Sequence, residues 1–349
     1  MSTQKAIVVA EGNTANVVTD RPIPTLRDDY ILVKTVSVGL NPTDWKHIAY
    51  LAPPGVTVGC DYAGTVEAVG KDVRKKFNKG DRIFGLAHGA NAVQPEDGSF
   101  AEYIVVKGDL QWKIPDNLSF QEAATLGVGI YTVGQGLYQS LKLALPTAPI
   151  KDATPVLIYG GSTATGTLAI QFAKLSGYHV ITTCSPRNFD FVRSLGADAV
   201  FDYKDPQAPA EIRKYTNDNL TLVFDCISLE ASAKFCDNAL SPAGGDYSAL
   251  LPIKIDRENV RDRATLGYTV LGEEFEFGAG SKIPAKPEDQ EHAEMFGSIA
   301  VPLLAQGKIK VHPPKVGKDG LKGVLEGLDL LKQDKVSGEK LVYNVAETP

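Results

Sequence analysis

Gly160, Thr163 and Gly166 lie in the run Val156–Ala173, VLIYGGSTATGTLAIQFA, where four apolar residues pass through a Gly-Gly pair into a helical pattern without a break. Glycines at such a turn let the backbone bend sharply and approach a ligand closely, and a helix opening directly behind it aims amides at an anion. The chemistry this suits is the cradling of a pyrophosphate at the end of a buried parallel strand, with Gly160, Gly161, Ser162, Thr163 and Thr165 around it. The spacing is GxxTxxG rather than GxGxxG, with Thr163 in place of the middle glycine.

A second strand-like run, Tyr178–Thr183, leads into Cys184, Ser185, Pro186, Arg187 and Asn188, and no carboxylate stands there. An Asp or Glu at that point accepts hydrogen bonds from the adenosine ribose and repels a 2'-phosphate. Ser185, Arg187 and Asn188 instead offer donors and a cation. The expected cofactor is therefore NADPH rather than NADH, with Arg187 as the main phosphate ligand; the bland alternative is an arginine solvated in a loop. Cys226, Ile227 and Ser228 close the later run FDCIS, and such strand ends face the ligand crevice.

The elements that position these residues follow from the pattern. The first 120 or so residues carry short alternating runs punctuated by Gly and Pro, such as Tyr30–Val38, Gly64–Val69 and Phe100–Val106, which reads as an antiparallel, barrel-like domain. Ser119, with Gln121 and Glu122 behind it, caps a helical stretch over Ala123–Leu137. From Pro155 to about Val270, six runs (VLIY, HVITTC, AVFDY, LVFDCI, GGDYSAL and YTVLG) alternate with helices, which predicts a doubly wound parallel sheet. Glu273–Glu294 reads as a surface loop, Met295–Ala305 and Gly320–Leu331 as helices, and Lys340–Val345 as a last strand returning to the first domain. The expected division is 1–122 with 295–349 for the β domain and 123–294 for the dinucleotide domain.

Composition narrows the function classes. The chain has 349 residues, enough for two domains, and a formal charge of −6 with no basic cluster, which argues against nucleic acid and anionic membranes as main partners. No run approaches the roughly 18 apolar residues of a membrane span. The N-terminal MSTQKAIVVAEG reads as a strand rather than a signal peptide, and a cytoplasmic enzyme is expected. Cys60, Cys184, Cys226 and Cys236 form no CxxC pair, the histidines are dispersed, and no metal site is expected.

Six local motifs occur in order: GLNPTDWKH (39–47), VGCDYAGTVEAVGKDV (58–73), GDRIFG (80–85), GSFAEYIVV (98–106), the GGSTATG turn and SGEKLV near the end. Together they resemble the medium-chain dehydrogenase/reductase superfamily over essentially the whole chain, which implies a GroES-like β domain interrupted by a Rossmann domain. Zinc-dependent members carry a Cys opening a CxxD segment and a His in a GHE segment; Asn41 and Cys60 stand there, and the four-Cys lobe is missing between Leu86 and Ser99. The resemblance is thus to zinc-independent reductases.

GGSTAT, TCSPRNFD, DYKDP, FDCIS and LGYTVLGE narrow it further, to the trans-acting enoyl reductases that serve fungal polyketide synthases, of the lovastatin-pathway type, and the related ToxD-like proteins. That resemblance implies NADPH-dependent reduction of the α,β double bond of a polyketide thioester on an acyl carrier protein, by a monomer. It also implies that Lys46 and Thr132, in NPTDWK and GIYTVG, are polar anchors facing nicotinamide and substrate. Leu271 and Gly272 would lie at the nicotinamide ribose or amide, and Tyr203 at the adenosine phosphate. Plainer readings stay open for three of these: a solvated Lys46, a Thr132 packed within its helix and an exposed strand-end Tyr203. Asp44 is expected to fix the NPTDW turn. Two other functions remain: a quinone or 2-alkenal reductase acting on free small molecules, and a non-catalytic NADPH-binding redox sensor.

Overall fold

Aliphatic runs buried on both faces, such as Pro155–Tyr159 and His179–Cys184, are what a parallel sheet covered by helices requires. The computed structural model describes residues 2–278 and 280–349; Met1, in the expected β domain, and Ala279, in the expected loop, lie outside the described residues. Six strands stand in the order Ala199–Asp202, His179–Cys184, Pro155–Tyr159, Leu222–Asp225, Gly245–Ala249 and Val260–Ala264. Every neighbouring pair is parallel. Counted along the chain the order is 3-2-1-4-5-6, the Rossmann arrangement, and it reverses between Pro155–Tyr159 and Leu222–Asp225. One face of the sheet is closed by Leu157, Ile181, Val223 and Tyr247 packed with Ile212 and Phe235.

The sixth strand differs from expectation. YTVLG is not a strand but a 3-10 turn, Gly267–Leu271, and its apolar residues Tyr268, Val270 and Leu271 are buried. The sheet is completed instead by VRDRA, whose Arg261 and Arg263 both pair with Asp246 on the adjoining strand, at 2.5 and 2.7 Å. The helix expected over Ala123–Leu137 is broken into Phe120–Ala123, with Ser119 accepting the Glu122 amide as its cap, then Gly127–Val133, which passes into a π-helical stretch, Gly134–Ser140.

In the first unit a mixed sheet runs Pro314–Val316, Lys340–Asn344, Tyr30–Gly39, Asp61–Val69, Arg82–Leu86 and Trp112–Lys113, with Tyr103–Lys107 also pairing with Tyr30–Gly39. The hairpin Thr3–Ala10 and Thr14–Pro22 joins it through the Ile7 and Val9 amides, which donate to Phe100 and Val56 carbonyls. Ile7, Ile31, Val33, Tyr62, Ile83, Phe100 and Ile104 fill its core. The C-terminal strand does return here, antiparallel to Tyr30–Gly39. Among the described residues, no helix is long and apolar enough to cross a membrane.

The units are Met1–Val128, Tyr268–Gly297 and Val311–Pro349, and Gly129–Gly267 with Ser298–Lys310. The first break falls later than 122 because this segment is bound to the β unit: Gln121 donates to Asn344 at 2.8 Å and the Val128 amide to Asp61 at 2.7 Å. Residues 268–294 also belong with the β unit, where Glu273 accepts hydrogen bonds from Tyr30 and Lys107. The stretch expected as a surface loop carries the antiparallel strand pair Phe275–Glu276 with Lys282–Ile283 and the start of the helix Pro287–Ala305. Ser298–Lys310 goes with the other unit, where Gln171 exchanges two hydrogen bonds with the Lys310 backbone at 2.7 and 2.9 Å.

Candidate functional site

The turn after Pro155–Tyr159 is shaped by close approach. Gly160 has φ +84°, a conformation that favours glycine, and a Cβ there would lie 2.9 Å from Ile227 Cγ1. A side chain on Gly161 would strike the Thr182 hydroxyl, and one on Gly166 the Gly160 carbonyl, so the helix Ala164–Leu175 starts directly against the strand end. Thr163 caps that helix. Its hydroxyl accepts the Gly166 amide at 2.9 Å and donates to the Gly160 carbonyl at 2.8 Å, and its own amide also donates to that carbonyl at 3.0 Å. Thr163 therefore serves the cradle by holding its shape, while the first-turn amides of Ala164 and Thr165 precede the helical ladder. A glycine cradle that any Cβ would fill, beside a capped helix at the reversal of strand order, fits a dinucleotide pyrophosphate.

The register pairs Cys184 with Asp202, so Ser185 and Tyr203 leave neighbouring strand ends side by side. Ser185 is extended and opens the 3-10 turn Pro186–Asn188, with Arg187 exposed and Tyr203 40% exposed. A cation not singled out from the sequence joins them: Lys204 Nζ stands 5.8 Å from the Tyr203 ring centre. The nearby Asp202 carboxylate accepts the Lys204 amide at 3.0 Å.

Cys226 and Ile227 follow Leu222–Asp225 at the reversal point. The Cys226 amide donates to the Tyr159 carbonyl at 3.0 Å, and burial pushes its thiol well above the usual range, so it packs as a neutral group. The residue that organises this end is Asp225, fully buried. Its carboxylate accepts the Ile227 and Ser228 amides, each at 2.9 Å, the Ser232 hydroxyl at 2.6 Å and the Tyr247 hydroxyl at 2.7 Å. Those donors lie from 2 to 22 residues further along the chain, which is why an isolated Asp in FDCIS carries no signal of its own.

In the β unit the helix Pro42–Tyr50 carries Lys46, half-buried, with Nζ 5.8 Å from the Trp45 ring centre. Asp44 fixes the start of that helix as expected, accepting the Asn41 amide at 2.7 Å, and burial pushes its carboxyl up to about 7. Thr132 sits half-buried in Gly127–Val133, in the other unit, whereas Leu271, buried, and Gly272, at φ +68°, belong to the β unit with Lys46.

The positions at which the resemblance would place zinc ligands hold a different chemistry. Asn41 donates to Asp61 at 2.9 Å and accepts from Lys340 at 2.9 Å, while Lys340 also pairs with the fully buried Asp61. Cys60, whose thiol burial pushes well above the usual range, lies 3.1 Å from the Tyr268 hydroxyl. An amide locked in an ion-pair network and a neutral thiol are a poor donor set for zinc, which takes thiolate and imidazole.

Comparison with known proteins agrees with this architecture. Residues 27–116 match the alcohol dehydrogenase GroES-like domain and residues 164–247 the zinc-binding dehydrogenase domain. The trans-enoyl reductase TOXD of Cochliobolus carbonum is 66% identical over 275 residues, covering 79% of this chain and 93% of that protein. The trans-enoyl reductase resD of Aspergillus sclerotiorum is 48% identical, covering 98% of this chain and all of that protein. An alcohol dehydrogenase superfamily protein from Novosphingobium aromaticivorans superposes with a TM-score of 0.80 at 24% identity, over 98% of this chain and 99% of that one. The CurK enoyl reductase does so at 0.77 and 20%, with the same coverage. At those identities the two structures speak for the fold alone. On sequence and fold together, the chain belongs to the trans-enoyl reductase family of nicotinamide-dependent medium-chain dehydrogenases/reductases.

Proposed function

We propose that this chain reduces the α,β double bond of an enoyl thioester, a polyketide-type acyl chain presented on an acyl carrier protein, with NADPH as reductant. The observation that carries the proposal is the 66% identity to a trans-enoyl reductase, spanning 93% of that protein. When bound, the reduced nicotinamide supplies a hydride to the β-carbon, and a proton adds to the α-carbon, so the C=C becomes a saturated bond. Negative charge develops meanwhile on the thioester oxygen, and hydrogen-bond donors of the chain must hold it; each well-aimed donor contributes about 3 kcal/mol to the barrier.

Lys46 and Thr132 are the proposed polar anchors for cofactor and substrate. Gly160, Gly161, Ser162, Thr163 and Thr165 form or shape the pyrophosphate cradle. Ser185, Arg187, Asn188 and Tyr203 receive the 2'-phosphate, Cys226 and Ile227 wall the crevice, and Leu271 with Gly272 lies at the nicotinamide ribose or amide. The preference for NADPH rests on the strand end Cys184–Asn188, which offers a guanidinium and hydroxyl where an NAD site offers a carboxylate. The protein is read as a cytoplasmic monomer that meets its substrate on a polyketide synthase; light scattering at the mass of one chain checks the first point.

The test compares crotonyl-type thioesters with simple quinones under identical NADPH conditions. A kcat/KM for thioesters well above that for quinones is expected. Quinones ahead by orders of magnitude would make this a quinone reductase, and no NADPH oxidation across the whole panel would leave only a binding protein.

A further inference from the structure

We propose that the Tyr268 hydroxyl is a positioning group: it ties the turn that carries Leu271 and Gly272 to the helix that carries Lys46, and so fixes the spacing of these segments during hydride transfer. The inference rests on the functional reading above and names a residue that reading does not use.

Tyr268 opens the excursion Tyr268–Gly297 that the Rossmann unit returns to the β unit. Its hydroxyl meets two elements of the β unit at once, lying 3.1 Å from Cys60 Sγ and 3.5 Å from His47 Nδ1. His47 adjoins Lys46 in the helix Pro42–Tyr50, and its Nε2 is 3.2 Å from the Thr43 hydroxyl in the same helix. The Tyr268 ring is stacked on His88, with centroids 4.2 Å apart and planes 17° from parallel, and Phe275 and Phe277 close on it at 6.0 and 6.5 Å. The next residue is held from the other side, where the Thr269 hydroxyl donates to Asp289, and a Cβ on Gly272 would strike Gln290 of the same helix. The turn is thus clamped between two helices three residues before Leu271.

The protonation states favour positioning over proton transfer. Burial brings His47 down to about 4 and His88 down to about 3, and it pushes the Tyr268 and Cys60 groups well above their usual ranges. Every member is neutral at physiological pH, and Tyr268 is only 6% exposed. A covered hydroxyl held well above its usual pKa range is a poor proton donor, and between a thiol and an imidazole it sets a distance.

Tyr268→Phe keeps the stack and removes one oxygen. With a crotonyl-type thioester, its kcat is expected to fall roughly tenfold or more, as misplacement of reacting groups by a fraction of an ångström does. The KM for NADPH should stay within about twofold, since the cofactor cradle is untouched. The isotope effect with [4-²H]NADPH should rise as the hydride step slows. As a second pair, Cys60→Ser retains a hydrogen-bonding partner and is expected near wild-type kcat, with Cys60→Ala below it. Wild-type kcat in Tyr268→Phe, or an unchanged isotope effect with kcat and KM worsening together, overturns the inference and leaves the functional reading standing. Failure of the wild-type protein to turn over any enoyl thioester overturns both.

Discussion

In the dinucleotide unit the Arg187 side chain is exposed, and the first-turn amides of Ala164 and Thr165 precede the ladder of the helix Ala164–Leu175. In the β unit the polar side chains are buried and bonded to one another: Asp61 takes Lys340, Asn41 and the Val128 amide, and Tyr268 meets Cys60 and His47. An open donor can be exchanged for affinity with a ligand, whereas a buried, satisfied one can only fix the position of its neighbours. Substitutions at open groups such as Arg187 should therefore fail in binding, and those at buried, bonded groups in stability or alignment.

The largest effect is expected at Asp61. Asp61→Ala strips a buried ammonium of its partner and should cost about 3–5 kcal/mol in urea unfolding, with cofactor selectivity unchanged in what folds. A smaller net effect comes from pH. His47 and His88 have folded pKa values near 4 and 3, below the unfolded value of about 6.5, so between those values the unfolded chain binds more protons. Their contribution is full above about pH 6.5 and is lost as pH falls towards 4 and 3. Asp44 and Asp97, both raised by burial to about 7, oppose this, because their contribution is greatest at low pH and declines as pH rises through the window up to about 7. Ring NMR signals of His47 and His88 that stay unshifted from about pH 8 to pH 5 check the assignment.

In the dinucleotide unit, Arg187→Ala should raise the KM for NADPH roughly tenfold, with the KM for NADH and the melting temperature unchanged. Equal effects on both cofactors would remove Arg187 from the 2'-phosphate. The smallest change is Thr163→Ala, which deletes a helix cap and should cost about 1 kcal/mol while NADPH binding weakens in parallel. A loss of NADPH binding with no loss of stability would make Thr163 a direct ligand instead of a cap.

Much of this was legible in the sequence. The alternation of buried runs announced the Rossmann sheet, and the GGSTATG turn announced its cradle, because both depend on local composition. The sixth strand was not legible, since Arg261 and Arg263 replace apolar residues with an ion-pair pattern to Asp246 at a sheet edge. YTVLG looked like a strand because Tyr268, Val270 and Leu271 are buried, but as a 3-10 turn. Asp225 and Tyr268 were invisible as organisers for a common reason. Their partners lie up to 22 and 221 residues away in the chain, and no local spacing encodes such contacts.

Enoyl reduction by this chain is tested by following the label from [4-²H]NADPH into product. Incubated with a crotonyl-type thioester, the protein should yield the saturated thioester carrying deuterium at the β-carbon, and NADH should replace NADPH poorly. Recovery of unreduced thioester while NADPH is consumed by a quinone would rule out enoyl reduction, and equal use of NADH and NADPH would rule out the 2'-phosphate site.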